Sequence, residues 1–168
     1  MFHSSAHPGR PVDRIWLDAL RAFGRPVAVL ARPHPGWRRD VGEQRVDDLL
    51  QQLEVGYSEE RTMLVNVITT RRLPDRVRVF SPLGPDGALW NFLQSASPDP
   101  PSSLLSLLPP GPGQLVVDGT AVEAQRFTYG DHVCTIAAIG EETVAVVSSA
   151  ALHDQAVHLT LDSTGVPG

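Results

Sequence analysis

The sequence predicts an α+β fold, in which a mainly antiparallel sheet of roughly six to eight strands carries one or two helices on one face. Three observations predict this class. An amphipathic helix lies near the start of the chain, a strand rich in Val, Ile and Thr covers Met63–Thr70, and a run of short strands covers Gln114–Leu161. This last run, a C-terminal meander, weighs most because only short turns separate its strands.

The first element is a helix that begins at Pro11 and ends at Gly24. Proline suits the first turn of a helix, and glycine suits the position just after its end. Apolar residues recur at steps of three and four along the segment, which places them on one face. They are Val12, Ile15, Trp16, Ala19, Leu20 and Phe23. We therefore expect this helix to pack on the sheet.

The middle of the chain predicts a strand, a second helix and a hairpin. Val27–Ala31 is short and apolar and lies between prolines, which indicates a strand. The second helix is predicted around Val46–Leu53, where four apolar residues have helical spacing, and Gly56 ends it. Met63–Thr70 is a strand by composition, and Arg76–Phe80 is its predicted hairpin partner.

The last third of the chain predicts five strands. Asp118-Gly119 supplies the positive φ angles of a tight hairpin turn. The strands are Gln114–Val117, Thr120–Phe127, His132–Ile139, Thr143–Ser148 and Val157–Leu161. His132–Ile139 is apolar at both odd and even positions, which is typical of a central strand that is covered on both faces.

The chain predicts a single domain with loose ends. Residues 1–10 are polar and contain proline and glycine, so we expect a flexible leader. Residues 11–161 form the domain and residues 162–168 a free tail. A proline-rich connection, 97–113, leaves room only for a short helix at Leu104–Leu108, which we expect to dock on the sheet.

The overall composition excludes several classes of function. A net charge of -5 and a pI near 5.6 argue against a nucleic-acid binder, which needs an excess of cations. No stretch approaches the roughly 20 apolar residues of a membrane helix, so we expect a cytoplasmic protein that has no membrane partner. All 14 basic residues are arginine, which is typical of a GC-rich bacterial genome such as an actinobacterial one.

Four residues raise the question of a metal site. His132 and Cys134 are two apart on a predicted strand, so their side chains share one face, and His153 and His158 follow later. A His/Cys/His zinc site would use such ligands, but the tight ligand pairs of known zinc sites are missing. Cys134 fits a small apolar residue of a buried strand. The sequence predicts no metal ion, and nothing in it indicates a cofactor.

Local signatures of catalysis are missing from the sequence. Ser148, Ser149 and Cys134 could act as nucleophiles, but no Gly-x-Ser-x-Gly turn surrounds any of them. Gly111-Pro112-Gly113 lacks the glycine spacing of a phosphate-binding loop. These observations favour a protein that is not an enzyme.

The charges are distributed unevenly. Acidic residues crowd the predicted second helix and the segment after it: Asp40, Glu43, Asp47, Asp48, Glu54, Glu59 and Glu60. Arginines crowd the following hairpin: Arg61, Arg71, Arg72, Arg76 and Arg78. Arginine forks suit carboxylates and phosphates, so this face could bind an acidic partner. A solvated strand face that discourages aggregation, or neutralisation by the acidic helix, would give the same pattern.

The sequence therefore favours a non-catalytic binding or accessory protein that acts through a protein–protein surface, as a regulatory, immunity-type or assembly partner. Its partner would be another protein, for which an acidic one is an option, or a second copy of the chain. The candidate binding residues are Arg71, Arg72, Arg76, Arg78, Trp37 and Trp90. The alternative is a small-molecule-binding domain or small enzyme. Its pocket would lie between sheet and helices and be lined by Trp37, Trp90, His132 and Cys134.

Overall fold

The computed structural model describes residues 2–4, 14–46, 48–71, 111–129 and 131–168, and these form one sheet and two helices. In chain order the elements are β1 (Phe2–Ser4), α1 (Arg14–Phe23), β2 (Val27–Leu30), β3 (Arg38–Val46), β4 (Leu49–Glu59), β5 (Thr62–Thr70), β6 (Gly111–Val117), β7 (Thr120–Tyr129), β8 (His132–Ile139), β9 (Glu142–Ser149), α2 (Ala150–Ala156) and β10 (His158–Asp162). Residues 1–13 contribute only strand β1 to this description, so the predicted leader lies almost wholly outside the described residues.

The sheet has ten strands in the order β1-β3-β4-β5-β9-β8-β7-β6-β10-β2. Its described pairings are antiparallel except for β10 with β6, which is parallel. The run β6-β7-β8-β9 confirms the first four strands of the predicted C-terminal meander, and the mainly antiparallel sheet with two helices is confirmed. The fifth predicted strand, β10, does not continue the meander, because helix α2 carries the chain back to pair in parallel with β6. The sheet has more strands than predicted. Between α1 and β5 the chain forms the three strands β2, β3 and β4, whereas the spacing of its apolar residues predicted one strand and a helix.

Helix α1 forms as its pattern predicts over Arg14–Phe23, and its predicted start at Pro11 lies outside the described residues. Trp16, Leu20 and Phe23 are buried on one face, and Gly24 ends the helix at φ 68° while its N–H donates to the Leu20 carbonyl at 2.9 Å. Ile15 departs from the expectation, since 42% of it remains exposed at the edge of the apolar stripe. The buried face contacts β3 and β4, so the helix covers one face of the sheet.

The predicted second helix is wrong, because its segment forms the hairpin β3–β4. The chain turns at Asp48, which takes a positive φ of 63°. The register then jumps from Gln44 opposite Gln52 to Arg45 opposite Leu50, which leaves Gln51 as a β-bulge. Leu50 and Leu53 are therefore both buried although they are three residues apart, a spacing that mimics a helix. The acidic helix does not exist, and Gly56 lies within β4.

Strand β5 forms as predicted, but its neighbours differ from the prediction. Along Val65–Thr70 it pairs with β4 on one edge and β9 on the other. The proposed hairpin with Arg76–Phe80 is therefore wrong for this stretch, and Arg76–Phe80 itself lies outside the described residues. Strand β5 is instead the junction between the N-terminal hairpin and the C-terminal meander.

The meander confirms most of its predicted strands and adds a helix. Asp118 and Gly119 take φ angles of 49° and 82° in the β6–β7 turn, as that dipeptide predicts. Strand β8 covers His132–Ile139, and its residues 133–137 are all buried, as expected for a covered central strand. Helix α2 was not predicted, because its seven residues are too few to show a helical period. The predicted Leu104–Leu108 helix lies outside the described residues.

The sheet curls so that its last strand, β2, lies against the middle of the sheet. One edge of β2 pairs with β10, and on the other edge the Ala28 and Leu30 N–H groups donate to side chains. Ala28 donates to the Thr69 hydroxyl at 3.0 Å and Leu30 to the Tyr57 hydroxyl at 3.1 Å. These buried hydroxyls satisfy backbone groups that an open sheet edge would leave without partners.

We expect Tyr57→Phe to lower the free energy of unfolding by about 1–3 kcal/mol, because the buried Leu30 N–H then loses its acceptor. Urea unfolding monitored by circular dichroism measures the change. Thr128→Val is the control, since it removes an exposed hydroxyl from β7 and should change stability by less than about 0.5 kcal/mol. Equal stabilities for the two variants would show that Tyr57 does not support the edge of β2.

The end of the chain is not the free tail that the sequence predicts. The Trp16 indole N–H donates to Asp162 at 3.3 Å, and Gly165 lies directly against the backbone of α1. A Cβ atom at position 165 would overlap the Leu20 carbonyl group and lie 2.8 Å from the backbone N of Arg21. The absence of a side chain at Gly165 is thus what allows the tail to dock on the helix.

We expect Gly165→Ala to destabilise the protein by about 1–3 kcal/mol, because the added methyl group forces the tail away from α1. Thermal unfolding measures the loss of stability. Gly168→Ala is the matched control, since a Cβ there has no atom within 4 Å and should leave the unfolding temperature unchanged. If the two substitutions have the same effect, the tail does not dock as described.

Candidate functional site

A cleft of about 620 Å³ lies between helix α2 and the meander, and we call it the α2 cleft. It is lined by Pro112, Gly113, Gln114, Val116, Arg126, Thr135, His153, Asp154, Val157 and His158. These residues come from β6, β7, β8, α2 and β10, which are brought together by the parallel return of β10 beside β6. Gly113 keeps the floor open, because a Cβ there would lie 3.0 Å from that of Arg126.

The floor of the cleft contains a buried imidazole held between two hydroxyl groups. His153 Nε2 lies 2.6 Å from Thr135 Oγ1, and His153 Nδ1 lies 2.8 Å from Ser148 Oγ. The three residues come from α2, β8 and β9, and each is at most 1% exposed. This chain of hydrogen bonds fixes α2 to the sheet.

The tautomer of His153 is assigned from the hydrogen bonds of Ser148, since the positions of the heavy atoms alone leave the protons unplaced. Ser148 Oγ donates its single proton to the Ser149 carbonyl at 2.9 Å, so toward His153 it can only accept. Nδ1 of His153 therefore carries the proton, and Nε2 accepts from the Thr135 hydroxyl. All three side chains have their polar groups satisfied within the protein.

His153 is neutral in the folded protein at neutral pH. Burial first, and the positive charge of Arg126 second, lower the pKa of its imidazole to about 4, while Asp154 acts in the opposite direction. A protonated ring would also lose its acceptor at Nε2, where Thr135 donates. The charge available to a ligand therefore comes from the rim of the cleft.

Two opposite charges stand at that rim. Arg126 on β7 is partly exposed, and Asp154 on α2 is exposed. Within the described part of the chain, neither side chain forms a salt bridge. His158 and Gln114 add exposed polar groups, while Pro112, Val116 and Val157 supply apolar surface.

The structure brings together two of the four metal-candidate residues. His153 and His158 both line the α2 cleft, whereas His132 and Cys134 do not. Cys134 follows Val133 and precedes Thr135, so its side chain points to the other face of β8. Among the described side chains, no three of the His, Cys, Asp or Glu type lie close enough to hold a metal ion.

None of the described residues predicted to line a pocket between sheet and helices lines the α2 cleft. The cleft lies between sheet and helix, yet Trp37 packs against the edge of the core and stacks at a tilt beside His34, at 5.9 Å between ring centroids. His132 and Cys134 are also absent from its lining, and Trp90 lies outside the described residues. Arg126 and Asp154 were missed, because only the three-dimensional pairing of β6, β7 and α2 places them together.

Of the four candidate binding arginines, the structure describes Arg71, whose guanidinium is engaged inside the protein, whereas Arg61 of the same arginine-rich stretch is exposed in the β4–β5 turn. Nε of Arg71 donates to the Leu50 carbonyl at 2.9 Å, a second nitrogen donates to the Phe23 carbonyl, and the group lies 4.7 Å over the Phe23 ring. Burial lowers the pKa of this guanidinium, and nearby Arg25 acts in the same direction. Arg72, Arg76 and Arg78 lie outside the described residues.

A second, smaller cleft of about 270 Å³ lies beside Arg71, and the residues that line it include an ion-pair network. Arg25 pairs with Glu141 and lies 3.4 Å from Glu142. These contacts raise the pKa of Arg25 and lower that of Glu141, in each case chiefly through their mutual hydrogen bond. Because its charges neutralise one another, this cleft offers a ligand less than the α2 cleft does.

The described acidic residues assigned to the supposed helix and the segment after it are dispersed over β3, β4 and the turns that follow these strands, and Asp47 lies outside the described residues. Asp40 and Glu43 pair with arginines of their own strand, Arg38 at 3.2 Å and Arg45 at 3.7 Å. Glu54 is buried and accepts a hydrogen bond from Gln52 at 2.9 Å, and burial raises the pKa of its carboxyl group. Asp40, Glu43 and Glu54 are therefore each engaged within β3 and β4 rather than grouped on one helix.

Comparison of the chain with known protein families, with curated proteins and with solved structures finds no match. Within the described ranges, neither helix is long and apolar enough to cross a membrane. The α2 cleft is thus assigned a function from its own geometry alone.

Proposed function

We propose that this protein is a non-catalytic binding protein whose ligand is a small molecule held in the α2 cleft. The observation that carries the proposal is the cleft itself, which has about 620 Å³ of space between five elements of the fold. That volume is in the usual range for small-molecule sites, which combine apolar walls with a few polar groups. Pro112, Val116 and Val157 provide such walls, and Arg126 and Asp154 provide the polar groups.

The floor of the cleft supports binding rather than chemistry. Thr135, Ser148 and His153 satisfy one another and hold α2 in place, which gives the site a fixed shape before any ligand arrives. A preformed site loses little conformational entropy on binding. The exposed groups that remain are ones that recognise a ligand by charge and shape.

The test is a small-molecule library screened by thermal shift with the full chain and with Arg126→Gln. We expect at least one compound class to raise the unfolding temperature, and Arg126→Gln to abolish that shift. Arg61→Gln is the matched control, because it removes an exposed arginine from the β4–β5 turn, outside the cleft. A library without any stabiliser that depends on Arg126 would overturn the proposal.

A second candidate function is acyl transfer by Thr135, favoured by its 2.6 Å hydrogen bond to the unprotonated Nε2 of His153. This is the geometry of a nucleophile beside a general base, with Ser148 orienting the imidazole. Each of these side chains is at most 1% exposed, which argues against attack on a substrate. Hydrolysis of activated esters that is lost in Thr135→Val and retained in Thr135→Ser would establish the enzyme instead.

The protein–protein surface that the sequence indicates stays a prediction, together with self-association and a cytoplasmic location. Arg72, Arg76, Arg78 and Trp90 carry it, and all four lie outside the described residues. Sedimentation of the full chain and of a variant with these three arginines replaced by glutamine tests self-association. An oligomer that the substitutions dissociate would support the surface.

A further inference from the structure

The rim of the α2 cleft holds a cation and an anion that do not contact each other. Arg126 lies on β7 and Asp154 on α2, on separate elements that both line the cleft. Both act electrostatically on the imidazole of His153, in opposite directions, so both lie near the floor of the same cleft. Neither side chain forms a salt bridge with another described residue, and both can pair with a ligand.

The sign of the two charges restricts the ligands that the cleft favours. A simple anion gains from Arg126 but is repelled by Asp154, and a simple cation meets the reverse situation. A molecule that carries both charges gains from both residues in one binding event. Arg126 is partly buried, so water screens a carboxylate paired with it less than it screens a fully exposed pair.

We infer that the α2 cleft binds a small zwitterion whose carboxylate pairs with Arg126, whose ammonium group pairs with Asp154, and whose apolar side chain lies against Val116 and Val157. A free apolar α-amino acid has this chemistry. The inference rests on the proposed function, since it names the ligand class of that same cleft. In this site Asp154 contributes to affinity as much as Arg126 does, whereas a site for anions would need only Arg126.

The experiment uses matched probes that differ only in charge. Leucine and phenylalanine are zwitterions, their N-acetyl derivatives are anions, and their amides are cations. Isothermal titration with the full chain measures the six affinities. We expect each zwitterion to bind at least about ten-fold more tightly than its acetylated or amidated form, because each derivative lacks one charge pair.

Two variants assign the charges to their residues. Asp154→Asn should weaken binding of leucine about ten-fold without weakening N-acetyl-leucine, since only the first has an ammonium group. Arg126→Gln should weaken leucine and N-acetyl-leucine but not leucinamide. Glu123→Gln is the control, because this exposed carboxylate alternates to the other face of β7 and lies outside the cleft lining.

The outcomes separate this inference from the proposed function. Three results would each overturn the inference that the ligand is a zwitterion. They are failure of leucine and phenylalanine to bind, equal affinities for leucine and N-acetyl-leucine, and an Asp154→Asn variant that binds leucine normally. The proposed function survives any of these if the library still yields a ligand that depends on Arg126. If no such ligand appears, the proposed function fails as well.

Discussion

Acidification from pH 7 to pH 4 is expected to remove about 3 kcal/mol of the free energy of unfolding through His153 alone. The pKa of His153 falls from 6.5, the ordinary value for the unfolded chain, to about 4 in the fold. Between these values the unfolded chain binds a proton that the folded chain does not. Stability is therefore complete above the unfolded pKa, declines as the pH falls, and stops declining below the folded pKa.

The physical cause is the closed hydrogen-bond chain at the floor of the cleft. A second proton on Nε2 would face the Thr135 hydroxyl that now donates to it, in a site with little water. Arg126 adds repulsion to the charged ring, and Asp154 partly offsets that repulsion from the rim. Burial is the largest of these effects, so the result should depend only weakly on salt.

The measurement is urea unfolding at several pH values between 7.5 and 4, compared with the same series for His153→Gln. The variant has no imidazole at this position, so its stability should decline less over this range, and the difference between the two curves reports His153. His158→Gln is the control, because this histidine is exposed at the rim. Parallel curves for the native protein and His153→Gln would contradict the prediction.

Local signals in the sequence explain which parts of the fold could be predicted. Gly24 after α1 and Asp118-Gly119 between β6 and β7 act through backbone conformations that these residues adopt readily, so their elements form where expected. The β3–β4 hairpin was missed because the bulge at Gln51 imposes a spacing of three on its buried leucines. A bulge depends on pairing with the partner strand, so the local sequence carries no signal of it.

The candidate site depends on pairing at long range, which the sequence does not display. His153 and His158 are near each other in the chain, but Arg126 reaches them only because β10 returns beside β6. The same limit affects Arg71. Its position in an arginine-rich stretch indicated a surface, whereas its partners are carbonyl groups of α1 and β4 that are distant in sequence.

Replacement of Arg71 by alanine should destabilise the protein by about 3 kcal/mol, because this side chain joins the end of β5 to both β4 and α1. Its backbone N–H donates to the Gln51 carbonyl at 2.9 Å, and its Nε donates to the Leu50 carbonyl, so Arg71 holds the bulge residue of β4 and the residue before it. The guanidinium also donates to the Phe23 carbonyl at the end of α1, where the helix dipole favours a positive charge.

The magnitude follows from the groups that the substitution would leave behind. Hydrogen bonds from a charged donor contribute about 1.5–3 kcal/mol each, and the stacking on Phe23 about 0.5–1 kcal/mol more. Desolvation of the guanidinium offsets part of this sum, as the lowered pKa of Arg71 indicates. Arg71→Lys should recover little, because an ammonium group lacks the planar fork that spans two carbonyl groups.

Urea unfolding of Arg71→Ala and of the control Arg61→Ala measures the difference, and hydrogen exchange of the α1 amides locates it. The control removes an exposed arginine from the β4–β5 turn and should cost less than about 0.5 kcal/mol. We expect faster exchange at the end of α1 in Arg71→Ala only. If this variant is as stable as the control and instead loses association with a partner, Arg71 serves the predicted arginine surface rather than the fold.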